Sequence, residues 1–437
     1  MSPAGGHRAA PEPGAPAPPG ASGPPPETEL VLRFARVAHD AGYPTAQLEE
    51  RVLALSGAVG LGGTQIFATP TLVDVSIGSL ASQRSYTLRV RPSSVDLDAI
   101  ARLDDLVEDV RGGRLDPAAA LARLEDVRSH PLQWPWPLVI CGYALGGAAL
   151  APVIGGGIRE SAAAALVGLA VGGIVLSTRS LVRTEPMVVP IAAVAAGFGA
   201  YAIAQLGLNA SPDLVALAAL VTLLPGMTLT IGMRELATEH LQSGVANTAN
   251  ALVQLLGLVF GVEIGRSIAA SWFGPVAQAA PDSSFQTWHI LAALAAGFAF
   301  TITLRARLRD AWVMCTATVL ALVASELGAV VFGDAAAAFA AALALGVVGT
   351  LAGVRMRRSP LVFIVPGVLM LVPGSAGFNS VLQLLTDQTV SGITAGFDTF
   401  VTAMSIAYGL MLSAVLLPRR YTPLTPTPPR HPRRKER

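Results

Sequence analysis

The sequence predicts an α-helical polytopic membrane protein with about ten transmembrane helices, arranged as two inverted five-helix repeats behind a small soluble α/β domain. Three observations predict this fold class: an apolar composition, an uneven distribution of charge and an internal repeat. Of the 437 residues, 52% are hydrophobic and 14% are charged, whereas about 25% of residues in soluble domains are charged. This composition excludes a secreted enzyme, a nucleic-acid-binding protein and a disordered scaffold as the main identity.

Neither a nucleic acid nor a metal ion is expected as a partner. The formal net charge is only +1, which gives no electrostatic reason to bind a polyanion. The two cysteines, Cys141 and Cys315, cannot build a disulfide framework, and no Cys/His cluster has the spacing of a metal site. The sequence therefore predicts no cofactor and no catalytic residue.

Charged residues divide the chain into segments. Residues 28–130 contain 25 charged side chains in 103 positions, whereas residues 137–418 contain 23 in 282. The first stretch is therefore expected to be soluble and the second to be embedded in the bilayer. The predicted segments are a disordered Pro-rich tail (1–27), a cytoplasmic α/β domain (28–130), two five-helix membrane repeats (131–270 and 271–417) and a basic disordered tail (418–437).

The soluble segment is predicted to contain both helices and strands. Apolar residues that share one helical face predict a helix ending near Gly42, and a second helix that closes in the glycine-rich turn at 60–63. Short β-type runs follow, broken by Pro70 and Gly78. The predicted strands are Gln65–Thr69, Leu72–Ile77 and Ser85–Val90, and two acidic helices are predicted at Leu97–Val110 and Pro117–Val127.

Ten apolar segments are long enough to cross a membrane, because a hydrocarbon core of about 30 Å requires roughly 20 residues of helix. Trp134 and Trp136 suit the aromatic belt at the entry to the first segment. The sixth and ninth segments are short. The predicted spans are 137–158, 161–178, 187–207, 212–233, 244–270, 288–304, 311–332, 335–353, 360–376 and 395–417.

Arginine residues predict the orientation of these spans. If the N-terminus is cytoplasmic, nine arginines lie on the inner side and two on the outer side, in agreement with the positive-inside rule. An even number of spans also places the basic C-terminal tail in the cytoplasm. We therefore expect a multi-pass protein of the inner (plasma) membrane with both termini cytoplasmic. The inner arginines are Arg179, Arg183, Arg234, Arg305, Arg307, Arg309, Arg355, Arg357 and Arg358, and the outer ones are Arg159 and Arg266.

The membrane segment contains an internal repeat at an offset of 148 residues. LLPGMTLTIGMRELATEHLQSG (223–244) aligns without gaps with LVPGSAGFNSVLQLLTDQTVSG (371–392). The Pro-Gly pair at 225–226 thereby falls on the pair at 373–374. Since each repeat contains five spans, an odd number, the second repeat should insert upside down relative to the first. Inverted repeats are common in secondary transporters, which bind substrate where the repeats meet.

The order of motifs resembles a known family. AGYPTAQLEERVLALSGAVGL is followed by TPTLVDVSIG, and then by spans that contain LLPGMTLTIGMRELATEHLQSG and VPGVLMLVPGSAGF. This order is similar to that of the threonine/serine exporter family, over about residues 28–418. The resemblance implies efflux of L-threonine and L-serine across the inner membrane, driven by the proton motive force. It supplies no signature for individual site residues, so the predicted sites rest on physical arguments.

Three Pro-Gly pairs fall inside the predicted spans, one in the fourth and two in the ninth, and are expected to interrupt them. In a bilayer, freed backbone groups are tolerated only where they face protein or a water-filled cavity. Half-helix N-termini suit a carboxylate and exposed carbonyls suit an ammonium, and a zwitterionic amino acid has both groups. The alternative is a simple proline kink. The predicted substrate-binding residues at these breaks are Pro225, Gly226, Pro366, Gly367, Pro373 and Gly374.

Polar side chains share one face of the fifth span and a comparable face of the tenth. Because polar groups are costly in lipid, both faces are expected to point inward and to bind the hydroxyl group of serine or threonine. The alternative is interhelical hydrogen bonding that only holds the bundle together. The faces comprise Ser243, Asn247, Asn250 and Gln254, and Ser391, Asp398, Thr402 and Ser405, of which Asn247, Asn250, Gln254 and Thr402 are predicted to bind substrate.

Five carboxylates are candidates for proton coupling, since an intramembrane carboxylate is costly and burial raises its pKa. Asp398 combines depth in its span with a place on the polar face, and Glu326 has no basic residue within a helical turn. Glu239 and Asp387 align in the repeat but are expected near the water boundary, while Glu263 can pair with an arginine three residues later. The order of preference is Asp398, Glu326, Glu239 with Asp387, and then Glu263.

These observations predict a secondary active transporter, not an enzyme, that exports small neutral amino acids. The expected partners are threonine or serine, protons and the lipid bilayer, and a homo-oligomer is left open. One alternative is an exporter of another small metabolite, such as a dipeptide or a carboxylate. A second is a membrane-anchored hydrolase with its chemistry in residues 28–130, where no nucleophile–base pair is evident. A third is a passive channel.

Overall fold

The computed structural model describes ten stretches of the chain, which contain helices α1 to α16 and strands β1 to β3. Of the predicted N-terminal tail it describes only residues 24–27, and α1 already begins at Pro26. The predicted C-terminal tail lies outside the described residues. The described stretches are 24–79, 81–91, 95–129, 134–178, 187–208, 210–274, 288–356, 359–371, 373–385 and 389–417.

Residues 26–129, which we call the N-terminal region, contain four helices and a three-stranded sheet. The strands pair in the order β1-β2-β3, and both pairs are antiparallel. Asp96 caps α3 by accepting a hydrogen bond from Ala99 N at 3.0 Å. The elements are α1 (Pro26–Asp40), α2 (Thr45–Ala58), β1 (Gln65–Thr69), β2 (Leu72–Ile77), β3 (Arg84–Arg89), α3 (Leu97–Arg111) and α4 (Pro117–Ser129).

The strand predictions agree closely with this region. Gln65–Thr69 and Leu72–Ile77 coincide with β1 and β2, and the third predicted strand lies one residue too far along the chain. A two-residue turn at 70–71 joins β1 to β2, and so short a connection permits only antiparallel pairing. The region therefore has the order of two helices, three consecutive strands and two helices, instead of alternating helices and strands.

The remaining helices are long and apolar. In the described part of the chain, eight helical segments can cross a membrane by length and composition, and a bent pair (212–219 with 221–237) makes a ninth if it counts as one span. The chain is therefore a polytopic α-helical membrane protein. These helices are α5 (Trp136–Val153), α6 (Ile158–Thr178), α7 (Val188–Ile203), α8 (Pro212–Ala219), α9 (Gly226–Ala237), α10 (Leu241–Phe273), α11 (His289–Thr303), α12 (Ala311–Phe332), α13 (Asp334–Met356), α14 (Leu361–Met370), α15 (Pro373–Leu385) and α16 (Thr389–Leu416).

Each of the ten predicted spans overlaps one of these helices or, for the fourth and ninth, a consecutive pair. The sixth overlaps α11, which is apolar but has only 15 residues. The predicted boundary between the two repeats, at residue 270, falls inside α10, which continues to Phe273.

Helix packing follows the same pattern in both halves of the bundle. α6 packs against α5, α7 and α8, and α12 packs against α11, α13 and α14. Likewise α10 packs against α7 and α9, and α16 packs against α13 and α15. α9 also contacts α16, and α15 also contacts α10. The short helices α9 and α15 therefore each pack against a long helix of the other half.

Two glycines at equivalent positions allow close helix packing. A Cβ atom at Gly261 would lie 2.6 Å from Pro190 O in α7, and one at Gly409 would lie 2.6 Å from Phe339 O in α13. No side chain fits at that distance, so both positions require glycine for the helices to approach. Pro190 and Phe339 are about 148 positions apart in the sequence, as are Gly261 and Gly409.

The first helices of the two halves, α5 and α11, run antiparallel where they touch. A Cβ atom at Gly142 would lie 2.9 Å from Ile302 Cγ2, and one at Gly146 would lie 3.7 Å from Ala299 Cβ. Residue numbers therefore rise along α5 as they fall along α11.

The N-terminal region packs against one end of the bundle, which we call the near end. Arg305 Nη1 lies 3.0 Å from Asp96 Oδ2, and Arg307 Nε lies 2.5 Å from Asp98 Oδ1. Trp134, just before α5, donates from Nε1 to a carbonyl in the same loop after α11 at 3.1 Å. The start of α5, the end of α11 and the start of α3 therefore meet at the near end.

The prediction that Pro366-Gly367 interrupts the ninth span is wrong. α14 runs through both residues, and a Cβ atom at Gly367 would lie 2.4 Å from Leu345 Cδ2 of α13. Tight packing against α13 holds this helix together, as neighbouring helices do for prolines in other membrane helices. α14 ends at Met370 and α15 begins at Pro373, and together they form one apolar span, Leu361–Leu385.

Candidate functional site

Two half-helices meet head to head inside the bundle. α9 begins at Gly226, after the chain turns through Leu224 and Pro225, and α15 begins at Pro373. A Cβ atom at Gly374 would lie 2.9 Å from Leu224 Cβ and 3.2 Å from Gly226 N. The N-terminal ends of α9 and α15 are thus in contact, and we call this contact the Pro-Gly junction.

The Pro-Gly junction faces protein. Leu224, Pro225, Gly226 and Gly374 are all buried, and Thr222 Oγ1 is buried without a hydrogen-bond partner among the described residues. The N-terminus of a helix has unpaired N–H groups and a partial positive charge. The N-terminus of α9 therefore favours an anionic group, such as a carboxylate, near the junction.

A cavity of about 230 Å³ lies between the N-terminal region and the near end of the bundle. It reaches Met227, the residue after Gly226, so it extends close to the Pro-Gly junction. Its volume is below the range of about 300–1,000 Å³ that is typical for drug-sized ligands, and suits a smaller molecule. Residues from α2, α9, α13, α14 and α16 line it, and its polar lining residues are Gln47, Glu50, Arg51, Thr230, Arg234, Thr350, Ser359 and Ser413.

The charged residues of the cavity differ in how they are paired. Arg51 Nε lies 2.8 Å from Asp104 Oδ1, so a buried carboxylate neutralises this guanidinium. Glu50 and Arg234 feel each other's charge, but neither forms an ion pair at 4.0 Å or less with another residue of the described stretches. The cavity thus offers one carboxylate and one guanidinium that are free to bind a ligand.

The surroundings of Glu50 shift the pKa of its carboxyl group. Burial raises the pKa of this carboxyl group above its ordinary value, and Asp104 adds to the rise, although Arg51 and Arg234 oppose it. The side chain nevertheless keeps an exposed surface. The carboxyl group therefore remains accessible to a ligand in the cavity.

Two hydroxyl groups in the cavity lining donate to their own helices. Thr230 Oγ1 donates to Gly226 O at 2.9 Å, and Ser413 Oγ donates to Leu410 O at 2.6 Å. Each oxygen keeps its lone pairs and can still accept a hydrogen bond from a ligand. The Thr230 bond also links the cavity lining directly to the first residue of α9.

Two family models match the chain. One, described as "Putative threonine/serine exporter", matches residues 29–269, and a second, described as "Threonine/Serine exporter, ThrE", matches residues 286–416. The first match alone covers more than half of the chain. The chain belongs to the threonine/serine exporter family.

Individual relatives match the chain over most of its length. A threonine/serine exporter of Corynebacterium glutamicum is 24% identical over 399 residues, which are 88% of this chain and 81% of the relative. A "Probable threonine/serine exporter" of Mycobacterium tuberculosis is 27% identical over 409 residues, 90% of this chain and 77% of the relative. Pheromone-regulated membrane protein 10 of Candida albicans is 25% identical over 244 residues, 55% of this chain and 22% of the relative. No solved structure matches the chain.

In this member of the exporter family, the two predicted polar faces lie on the long helices α10 and α16. These helices pack against the short helices α9 and α15. Asn247 Nδ2 donates to Glu235 Oε2 of α9 at 2.7 Å. Asn250 and Gln254 are half-buried on α10, and Thr402 is half-buried on α16. None of these four predicted substrate-binding residues lines the cavity. α9 contacts both α10 and α16, so it links the two faces.

The serines of these faces have other contacts. Ser243 Oγ donates to Ala68 O of β1 at 2.9 Å, so this hydroxyl connects α10 to the N-terminal region. Ser391 Oγ donates to Gln383 Oε1 at 3.0 Å on the surface. Ser405 is half-buried on α16.

Two of the predicted proton-coupling carboxylates lie on exposed surface. Asp398 is exposed on α16. Glu326, on α12, is also exposed, and its Oε1 lies 3.3 Å from His289 Nδ1 at the start of α11. The absence of a basic residue along its own helix therefore did not exclude a basic partner on another helix.

The other predicted carboxylates occupy a turn, an ion pair and an undescribed position. Glu239 lies in the turn between α9 and α10 with φ of 65° and is exposed. Glu263 Oε1 lies 3.5 Å from Arg266 Nη1, so the expected pair along α10 is present. Asp387 lies outside the described residues.

Sequence reasoning missed Glu235, a carboxylate that is only 3% exposed in the bundle. It accepts the hydrogen bond from Asn247, with Thr45 of α2 and His240 nearby. The fourth predicted span ends at residue 233, which places Glu235 in a loop. In fact α9 continues to Ala237.

Sequence reasoning also missed Glu50 and Arg234. The sequence prediction places Arg234 among the inner arginines. Glu50 lies in the motif AGYPTAQLEERVLALSGAVGL, which supports the family resemblance but predicts no role for individual residues. The two residues are far apart in sequence, and only the packing of the N-terminal region against α9 brings both to one cavity. No spacing in the sequence indicates that Glu50 and Arg234 line the same cavity.

Proposed function

We propose that this protein exports small neutral amino acids, with L-threonine and L-serine as substrates, and that the proton motive force drives export. The observation that carries this proposal is the cavity of about 230 Å³ beside the Pro-Gly junction, whose lining holds a carboxylate and a guanidinium without an ion-pair partner among the described residues. A zwitterion of single-amino-acid size complements it. The names of the relatives from C. glutamicum and M. tuberculosis support the same substrates.

The proposed mechanism is alternating access between two inverted halves, α5–α10 and α11–α16. Matching helix contacts in the two halves and the antiparallel contact of α5 with α11 support this arrangement. The cavity is lined by α9 of one half and by α13, α14 and α16 of the other. A relative movement of the halves would therefore open or close it.

In this mechanism the near end is cytoplasmic. The N-terminal region and the loop with Arg305 and Arg307 lie together there, in keeping with the positive-inside rule. Substrate enters the cavity from the cytoplasm, and the Pro-Gly junction, which is closed in this conformation, opens to let it pass. In the second conformation, Asn250 and Gln254 of α10 and Thr402 of α16 contact the substrate.

Proton coupling requires a carboxylate that exchanges its proton as the halves move. Glu235 is our first candidate, because it is buried on α9 and bonded to Asn247 of α10. His240 and Arg234 are the charged or titratable neighbours that act on it from α9 and the turn that follows. Asp398, which is exposed on α16, is the second candidate.

Transport of labelled L-threonine into inside-out membrane vesicles that contain the full chain tests the proposal. Vesicles acidified inside should accumulate threonine and serine saturably, and a protonophore should abolish the accumulation. Uptake that is indifferent to the protonophore would reject proton coupling, and uptake no greater than in vesicles without the protein would reject export itself.

A further inference from the structure

Opposite charges enter the cavity from two separate parts of the protein. Glu50 belongs to α2 of the N-terminal region, and Arg234 belongs to α9 of the bundle. Both residues line the cavity, and no ion pair at 4.0 Å or less joins them within the described residues. A carboxylate from the N-terminal region and a guanidinium from the bundle therefore line one cavity without forming an ion pair with each other.

The third charged residue of the cavity lining is already paired. Arg51 contacts Asp104 at 2.8 Å, and Tyr43 donates to the same carboxylate oxygen at 2.8 Å. With that pair neutral, Glu50 and Arg234 balance each other. A ligand with a net charge would leave one of the two without an opposite charge to bind. A zwitterion satisfies both.

We infer that Glu50 binds the ammonium group of the transported amino acid and that Arg234 binds its carboxylate, so the N-terminal region supplies half of the substrate site. This inference rests on the proposed function, because it takes a small neutral amino acid as the occupant. A guanidinium holds a carboxylate through two parallel hydrogen bonds, and a carboxylate accepts hydrogen bonds from an ammonium group. Bound substrate then bridges α2 and α9.

Substrate analogues that lack one charged group test each contact separately. N-acetyl-L-threonine has no ammonium group, and L-threoninamide has no carboxylate. Binding of L-threonine and of both analogues to the purified full-length protein is measured by isothermal titration calorimetry. The variants are Glu50→Gln and Arg234→Gln, with Glu50→Asp and Arg234→Lys as charge-conserving versions. Glu125→Gln and Arg128→Gln, on the surface of α4, are matched controls.

The wild-type protein should bind L-threonine at least about ten-fold more tightly than either analogue, since each lost contact is a charge-assisted hydrogen bond. Glu50→Gln should bind threonine and N-acetyl-threonine with similar affinity but still discriminate against threoninamide. Arg234→Gln should show the reverse pattern. The charge-conserving variants should keep part of the discrimination, and the α4 controls should keep all of it.

The pattern of failure distinguishes this inference from the proposed function. If the wild-type protein binds and transports threonine but both glutamine variants keep full discrimination, the inference is wrong and the proposed function stands. Equal loss of affinity for all three ligands would also overturn it, because a structural effect has no preference for one analogue. If the wild-type protein neither binds nor transports threonine, both are wrong.

Discussion

At the scale of single residues, the N-terminal region depends on a buried carboxylate. Asp104 is held by Arg51 and Tyr43, and the Ser359 hydroxyl of the bundle lies close to it. Burial nevertheless raises the pKa of Asp104 above its ordinary value of 3.8, because desolvation outweighs these partners. A group of this kind stabilises the fold when protonated, and the stabilisation is lost as the pH rises through its pKa in the folded protein.

Asp104→Asn should therefore flatten the dependence of stability on pH. Relative to this variant, the wild-type protein should be most stable near pH 4, and its advantage should shrink as the pH rises toward neutrality. Melting temperatures of both proteins in detergent at several pH values measure this difference. Asp74→Asn, on β2, is the control. A wild-type advantage that instead grew with rising pH would mean that the pKa of Asp104 is lowered by folding.

Glu235→Gln should separate transport from the proton gradient. The glutamine can still accept the hydrogen bond from Asn247 but cannot carry a proton. We expect threonine export driven by a pH gradient to fall about ten-fold or more, as expected when a proton-transfer group is removed. Exchange of threonine for threonine across the vesicle membrane should persist. Export that still follows the gradient in this variant would leave Asp398 as the carrier, which Asp398→Asn tests in the same assay.

At the scale of helices and strands, close backbone contacts determine which positions tolerate change. The N-termini of α9 and α15 touch at the Pro-Gly junction, where a Cβ atom at Gly374 would lie 2.9 Å from Leu224 Cβ. In contrast, a Cβ atom at Gly173 of α6 would meet nothing within 4 Å. Substitution by alanine should therefore disturb helix packing at Gly374 and be tolerated at Gly173.

Gly374→Ala should force the half-helices apart and lower the maximal rate of threonine export several-fold. Gly173→Ala should leave export unchanged and stabilise the protein slightly, because alanine is favoured over glycine in a helix by roughly 0.5–1 kcal/mol. Export assays in vesicles and melting temperatures in detergent compare the two variants. Equal export by both would show that transport does not require the close contact at the Pro-Gly junction.

The strands and most helices could be predicted because local signals determine them. Alternating apolar residues between Pro70 and Gly78 defined β2, and long apolar runs defined the spans. The predicted break at Pro366 is wrong, because a proline interrupts a membrane helix only where neighbouring helices do not stabilise it. The packing of Gly367 against Leu345 has no local signature. The bend before Gly226 could be predicted, since its Pro-Gly pair recurs in the sequence.

At the scale of the whole molecule, the N-terminal region is attached to the bundle by ion pairs. Arg307 and Asp98 form the more buried pair, with side chains that are 15% and 7% exposed, and Asp98 also pairs with Arg102. Removing one partner of a well-buried pair is costly, because the other charge is left without compensation. This attachment fixes the wall of the cavity that carries Glu50.

Arg307→Gln should loosen the N-terminal region by roughly 1–3 kcal/mol, less than for a fully buried pair because Arg102 still contacts Asp98. Faster hydrogen exchange in α3 and a higher KM for threonine are the expected results. Arg33→Gln is the matched control, because its pair with Glu29 is on the surface and contributes about 0–1 kcal/mol. Unchanged exchange in α3 would show that other contacts hold the region in place.

The candidate site could be predicted only in part. The sequence indicated the Pro-Gly pairs and hence the place where the half-helices meet. It could not indicate Glu50 and Arg234, because they come together through packing between distant segments. Hydropathy places Glu50 in a soluble domain and Arg234 on the inner side of the membrane. In the folded protein, both residues line one cavity.

The length of α10 has a mechanical consequence. Its 33 residues make a rod of about 50 Å, whereas the hydrocarbon layer is only about 30 Å thick. The rod must therefore lean or project beyond the lipid, and close to its first turn Ser243 is fastened to the sheet. Because a helix is stiff along its whole length, any tilting of α10 within the lipid would also displace β1, which is bonded to the first turns of α10.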